Sequence, residues 1–162
     1  MEPTMTTRAE QWTPPTGRAT VAVPAGTWWD AVRVTDRIGE RALAILGTES
    51  GSVIEDSSST LYWLVPCGST AASWKLRDVH VLTAAEGVTT YLCVPPENRL
   101  TRPGSYWRMP FTRARYLTDP WLLFGGLRVA TRAGRRGAGP PGCGPCGCPA
   151  AGGARTRGRG RG

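Results

Sequence analysis

The sequence predicts one small α+β domain, with a four- to five-stranded antiparallel or mixed sheet, about two helices and a disordered C-terminal tail. Three observations carry this expectation. Short β-prone runs bounded by turn residues recur between residues 27 and 109. Helix signals occur twice, over residues 36–46 and 119–127. The composition then breaks after Leu127: all seven Trp, both Phe, all four Tyr and every Leu and Ile lie at or before it, and beyond it only Val129 is large and apolar. A chain of 162 residues suffices for one domain with a real core and is too short for two ordinary ones.

In chain order, residues 1–24 are rich in Thr and Pro and read as a flexible arm that docks through Trp12. The folded unit spans residues 25–127. TWWDAVRV (27–34) is a strand with Trp28, Val32 and Val34 on one face and Trp29, Ala31 and Arg33 on the other. DRIGERALAIL (36–46) places Ile38, Ala42, Ile45 and Leu46 at helical spacing, and Gly47 stands where a C-terminal cap belongs. SVIED (52–56) and TLYWLVP (60–66) flank SSS as an antiparallel hairpin, and the second run, apolar on both faces, reads as a central strand. DVHVL (78–82) and TTYLCV (89–94) are strands around a Glu-Gly turn, and residues 105–109 are extended. DPWLLFGGL (119–127) is a short helix with Asp119 as N-cap and Pro120 in its first turn.

The net charge of +8 is unevenly placed. Residues 1–127 hold twelve Lys and Arg against twelve Asp and Glu, whereas residues 128–162 hold eight Arg and no acid. A segment of Gly, Ala, Arg and Pro cannot offset the roughly 1–2 kcal/mol per residue that backbone ordering costs, so 128–162 is expected to be disordered. Within it, Arg155, Arg157, Arg159 and Arg161 resemble an RGG-type segment and are candidate contacts for single-stranded nucleic acid, weak and salt-sensitive. Cys143, Cys146 and Cys148 form C-x2-C-x-C, at which two or three thiolates can reach one ion, but a structural zinc needs four ligands and Cys67, Cys93 or His80 could supply the fourth only if the tail folded back, so adventitious zinc is expected before a purposeful site.

The first residues hold no apolar core of secretory length, and no apolar stretch has membrane-spanning length. A soluble cytoplasmic protein with no membrane partner is expected, in which five cysteines do not form a disulfide framework. There is no Walker loop, G-x-G-x-x-G turn or H-E-x-x-H helix. His80 with Cys67 or Cys93 could serve as base and nucleophile only in a setting that lowers the thiol pKa. Asp30 and Glu55 are the candidate catalytic acids. Asp30 interrupts an apolar strand and must find a partner, an Arg by preference, or water.

Taken in order, WWDAVRV, DRIGERALAIL, VIEDSSSTLYWLVPCGS, YLCVPPENR and GSYWRMPF resemble the bifunctional DNA primase/polymerase (prim-pol) domain, especially the short standalone chains of high-GC bacteria, over about residues 25–127. The resemblance implies an α+β fold on an RNA-recognition-like sheet, with nucleotide and template as substrates and Mg or Mn as cofactor. Trp29-Asp30 matches the family's aromatic-Asp pair, which puts the metal-binding positions of its D-x-D strand on Arg33 and Thr35, where neither side chain can replace a carboxylate. TLYWLV also lacks the family's phosphate-contacting histidine. The resemblance therefore implies a non-catalytic primase/polymerase-like pseudoenzyme that binds nucleotide or nucleic acid. The alternatives are a protein-interaction module presenting Trp and Pro, and a metal-dependent nucleotidyltransferase using Asp30 and Glu55.

Overall fold

The structure, a computed structural model, describes residues 12–69 and 74–136, with side chains to residue 133. Its elements are β1 (Val21–Pro24), β2 (Asp30–Val34), α1 (Asp36–Leu46), β3 (Val53–Glu55), β4 (Leu61–Val65), β5 (Val79–Leu82), β6 (Tyr91–Val94), β7 (Tyr106–Met109) and α2 (Pro120–Arg136), with a 3-10 turn at Gly47–Glu49. A five-stranded sheet has the order β5-β2-β4-β3-β7, and β1 pairs with β6 in a separate two-stranded sheet; every neighbouring pair is antiparallel. β2, α1 and β3 form a split β-α-β unit, because β4 inserts between two strands that run in the same direction.

The apolar pattern explains this order. All five residues of β4 are buried, as expected of a central strand covered on both faces. Alternation along β2 and β4 sends Val32, Val34, Trp63 and Val65 into one core and Ala31, Tyr62 and Leu64 into another. The first core lies under the helices and is completed by Ile38, Ala42 and Leu46 of α1 and Leu123, Leu127 and Ala130 of α2. Gly39 lets α1 approach the sheet, since a Cβ there would stand 2.8 Å from Leu61 Cδ2. The second core is aromatic. Trp12 meets Trp29 edge to face (5.5 Å, 80°), and Tyr116 and Trp107 join them beneath β1 and β6.

The hairpin turn is built by one carboxylate. Asp56 Oδ1 accepts from the N–H groups of Ser58 (2.9 Å) and Thr60 (3.0 Å) and from the Ser58 hydroxyl, and Tyr62 donates its hydroxyl to Oδ2 (3.0 Å). The α1 and hairpin expectations hold, and Gly47 does close α1 in a positive-φ conformation (φ 52°).

Three expectations are corrected. The arm does not extend to residue 24, because Trp12 is buried and Val21–Pro24 is a strand paired with β6. Trp28 precedes the strand and packs with the second core, away from Val32 and Val34. The helix expected to stop at Leu127 continues to Arg136, and Ala130 is buried between the helices. Ala and Arg are good helix formers, and the row Leu123, Leu127, Ala130 keeps helical spacing across the compositional break. The tail thus begins no earlier than residue 137. Residues 1–11 and 137–162, which include Cys143, Cys146, Cys148, Arg155, Arg157, Arg159 and Arg161, lie outside the described residues. Among the described residues no helix is long and apolar enough to cross a membrane.

Candidate functional site

The acids singled out in the sequence are both buried and both engaged. Asp30 is 1 % exposed; its Oδ2 accepts from the Gly68 N–H and its Oδ1 from the Thr83 hydroxyl, each at 2.8 Å. Both of these donors are neutral. Glu55 is 7 % exposed and sits in an ionic network: Arg102 Nη2 donates to Oε1 (2.7 Å), Tyr106 donates its hydroxyl to Oε2, and Arg108 Nε lies 3.8 Å from Oε2 while its Nη2 reaches Glu40.

Asp30 and Glu55 share the helix-side face of the sheet but not a site. Asp30 pairs with Val65 and Glu55 with Leu61, so they are separated by four residues of β4, about 13 Å along the strands alone. Two carboxylates that far apart cannot share one ion, whose oxygen ligands lie about 2.0–2.6 Å away. Among the described residues no cluster of three or more His, Cys, Asp or Glu has metal-holding geometry. Arg33 points away from the helices, opposite His80 and Tyr62 in register, and Thr35 stands at the start of α1.

The pairing of His80 with Cys67 fares no better, while Cys93 is an exposed residue of β6. Cys67 follows the Asp30 end of the sheet, whereas His80 pairs with Arg33 nearer the other end. Burial, with the Asp30 carboxylate, pushes the Cys67 thiol above its ordinary pKa, opposite to what a nucleophile needs.

The feature that the sequence reading missed is a cleft of about 600 Å³ between α1, the segment 74–78 and α2. Arg37 and Arg41 reach it from α1, Lys75 and Arg77 from the segment before β5, and Arg128 and Arg132 from α2. Asp78 is its only carboxylate among the described residues, at a positive-φ turn (φ 61°) that leads into β5. Ile38, Leu76 and Phe124 supply an apolar lining, with Trp74 tilted on Phe124 at 5.3 Å. Thr35, the N-cap of α1, also lines the cleft and makes no side-chain capping bond.

Glu55 pairs with Arg102, Glu40 of α1 turns to Arg108 of β7, and Glu49, just after α1, lies against Arg115. Among the described residues none of the six cleft cations is in an ion pair. Helix spacing was the available signal: Arg37 and Arg41, then Arg128 and Arg132, are i, i+4 pairs on one helix side each. The second pair was invisible as such while residues 128–136 were assigned to a tail. Unpaired cations in a concave site with low-dielectric walls concentrate anions.

The sheet surface itself is not available for bases. RNA-recognition sheets stack bases on exposed aromatic residues of one face. Here one face lies under α1 and α2, and Trp107, Trp29 and Tyr62 of the other are buried with β1, β6 and Trp12. No family model, no curated protein and no solved structure matches the chain.

Proposed function

We propose that the chain is a non-catalytic module that binds the phosphates of a nucleotide or nucleic acid in the cleft between α1 and α2. The observation that carries this reading is that, among the described residues, six cations without an ion-pair partner face one carboxylate around about 600 Å³, a volume in the range of small-ligand sites. Guanidinium groups bind phosphate oxygens through paired N–H donors, and four of the six are close enough in sequence to act as i, i+4 pairs. The split β-α-β sheet order is consistent with a primase/polymerase-like scaffold, and the separation of Asp30 from Glu55 favours a pseudoenzyme over a nucleotidyltransferase. Mg or Mn would then enter with the phosphates of the ligand and not through resident carboxylates.

The second reading, a docking module for a protein, draws on Ile45, Leu122 and Val129, which are exposed. It predicts no response to any phosphate ligand.

Amide chemical-shift mapping with nucleoside triphosphates and inorganic tripolyphosphate tests the first reading. Shifts are expected in the first turns of α1, in residues 75–78 and in residues 128–132. Shifts confined to residues 137–162 would contradict it.

A further inference from the structure

We propose that Trp121 is a base-stacking residue, which makes the cleft and the N-terminal end of α2 one path for a single strand of nucleic acid. The inference rests on the phosphate-binding reading of the cleft. Trp121 is 81 % exposed, while Trp12, Trp29, Trp63 and Trp107 are buried and Trp28 and Trp74 partly so. It is anchored despite that exposure. Its backbone N–H donates to the Asp119 cap at 2.9 Å, which fixes it in the first turn of a 17-residue helix.

The helix sets its direction. Trp121, Phe124, Arg128 and Arg132 follow one another at intervals of three, four and four and therefore share one side of α2. Phe124, Arg128 and Arg132 line the cleft, so Trp121 prolongs the same row beyond its edge, about 10 Å along the helix axis from Arg128.

The two ends of the row have complementary chemistry. Cations with an apolar floor hold phosphates and ribose, and an exposed indole offers a π surface to a base. Free polyphosphate uses only the first part. A duplex keeps its bases stacked and cannot use the second. A single strand of DNA or RNA uses both, which is the combination that sequence-tolerant strand binding requires.

The test compares the full chain with Trp121→Ala, Trp121→Phe and Arg128→Glu, using oligothymidylate, oligouridylate, the corresponding duplexes and inorganic tripolyphosphate. Trp121→Ala is expected to weaken binding of both single strands about tenfold, to leave tripolyphosphate affinity unchanged, and to be largely rescued by Trp121→Phe. Arg128→Glu is expected to weaken both kinds of ligand. Because Trp121 is a surface residue, unchanged melting of the alanine variant shows that the fold is intact. Equal loss for strand and tripolyphosphate, no loss for the strands, or tighter binding of duplexes would each overturn the stacking role. If Arg128→Glu changes neither ligand while Trp121→Ala still weakens the strands, the cleft reading fails and the stacking role survives as an isolated contact. Absence of any binding by the unaltered chain overturns both.

Discussion

Two sets of charges sit on the helix side of this molecule, and they are treated in opposite ways. Asp30 and Glu55 are buried and engaged: the Gly68 N–H and the Thr83 hydroxyl donate to one, and two arginines and a tyrosine surround the other. The six cations between α1 and α2 are open to solvent in part or in full, and none is in an ion pair among the described residues. A saturated charge holds structure together, because moving it costs the bonds it makes. An unsaturated cluster of like charges repels itself and is relieved by a ligand of the other sign. Location at a strand end made the acids look functional. On the proposed reading their partners give them a structural role.

The contrast breaks most sharply at the cleft. Arg41→Glu combined with Arg128→Glu is expected to lower tripolyphosphate affinity about a hundredfold or more, since each charged hydrogen-bond donor contributes roughly 1.5–3 kcal/mol. Both side chains reach solvent, so calorimetric melting should stay within a few degrees of the unaltered chain. Glu55→Ala should do the reverse. It strips Arg102, Arg108 and Tyr106 of their shared acceptor and is expected to cost about 2 kcal/mol in urea unfolding, less than a fully buried pair because Arg102 is partly solvated, while leaving ligand affinity in place. Asp30→Ala orphans the Gly68 N–H and the Thr83 hydroxyl and should cost about 1–2 kcal/mol by the same measurement.

The smallest effect concerns pH. Burial alone would raise the Asp56 carboxyl, but hydrogen bonds from Thr60, Ser58 and Tyr62 together outweigh it and hold its pKa below the ordinary value. Its contribution to stability is therefore complete above the ordinary carboxylate range and is lost as pH falls through its own lower value. Tyr62 shows the mirror image. Burial first, then the Asp56 charge, pushes its pKa up to about 12, so its contribution is complete below the ordinary value of about 10 and is lost as pH rises towards 12. Asp56→Asn should flatten the acid limb of a urea midpoint against pH profile and shorten the alkaline limb, which would still begin near pH 10 but end at a lower pH.

What the sequence made legible follows the same division between saturated and local patterns and those that need the third dimension. α1 was readable because Ile38, Ala42 and Leu46 recur at helical spacing and Gly47 ends them. The β3–β4 hairpin was readable because turn residues separate two apolar runs. β1 was not: Val21–Pro24 is short, its first two residues are exposed, and its partner lies some seventy residues away. The second half of α2 was hidden by judging burial on large side chains alone, when the residue that packs there is Ala130. The cleft was hidden by a sum. Twelve charges of each sign cancel along residues 1–127, but Glu40 of α1 pairs with Arg108 of β7, and among the described residues Arg37 and Arg41 of the same helix have no ion-pair partner.

Salt dependence of single-strand binding decides most directly whether the unpaired cations of the cleft are the anion site. For the full chain, the logarithm of the association constant for oligothymidylate should fall linearly with the logarithm of salt concentration, and Arg41→Glu with Arg128→Glu should reduce that slope by about 1.4, two phosphate contacts at roughly 0.7 each. A slope and an affinity unchanged by that pair of substitutions would place the contact outside the cleft and contradict the account.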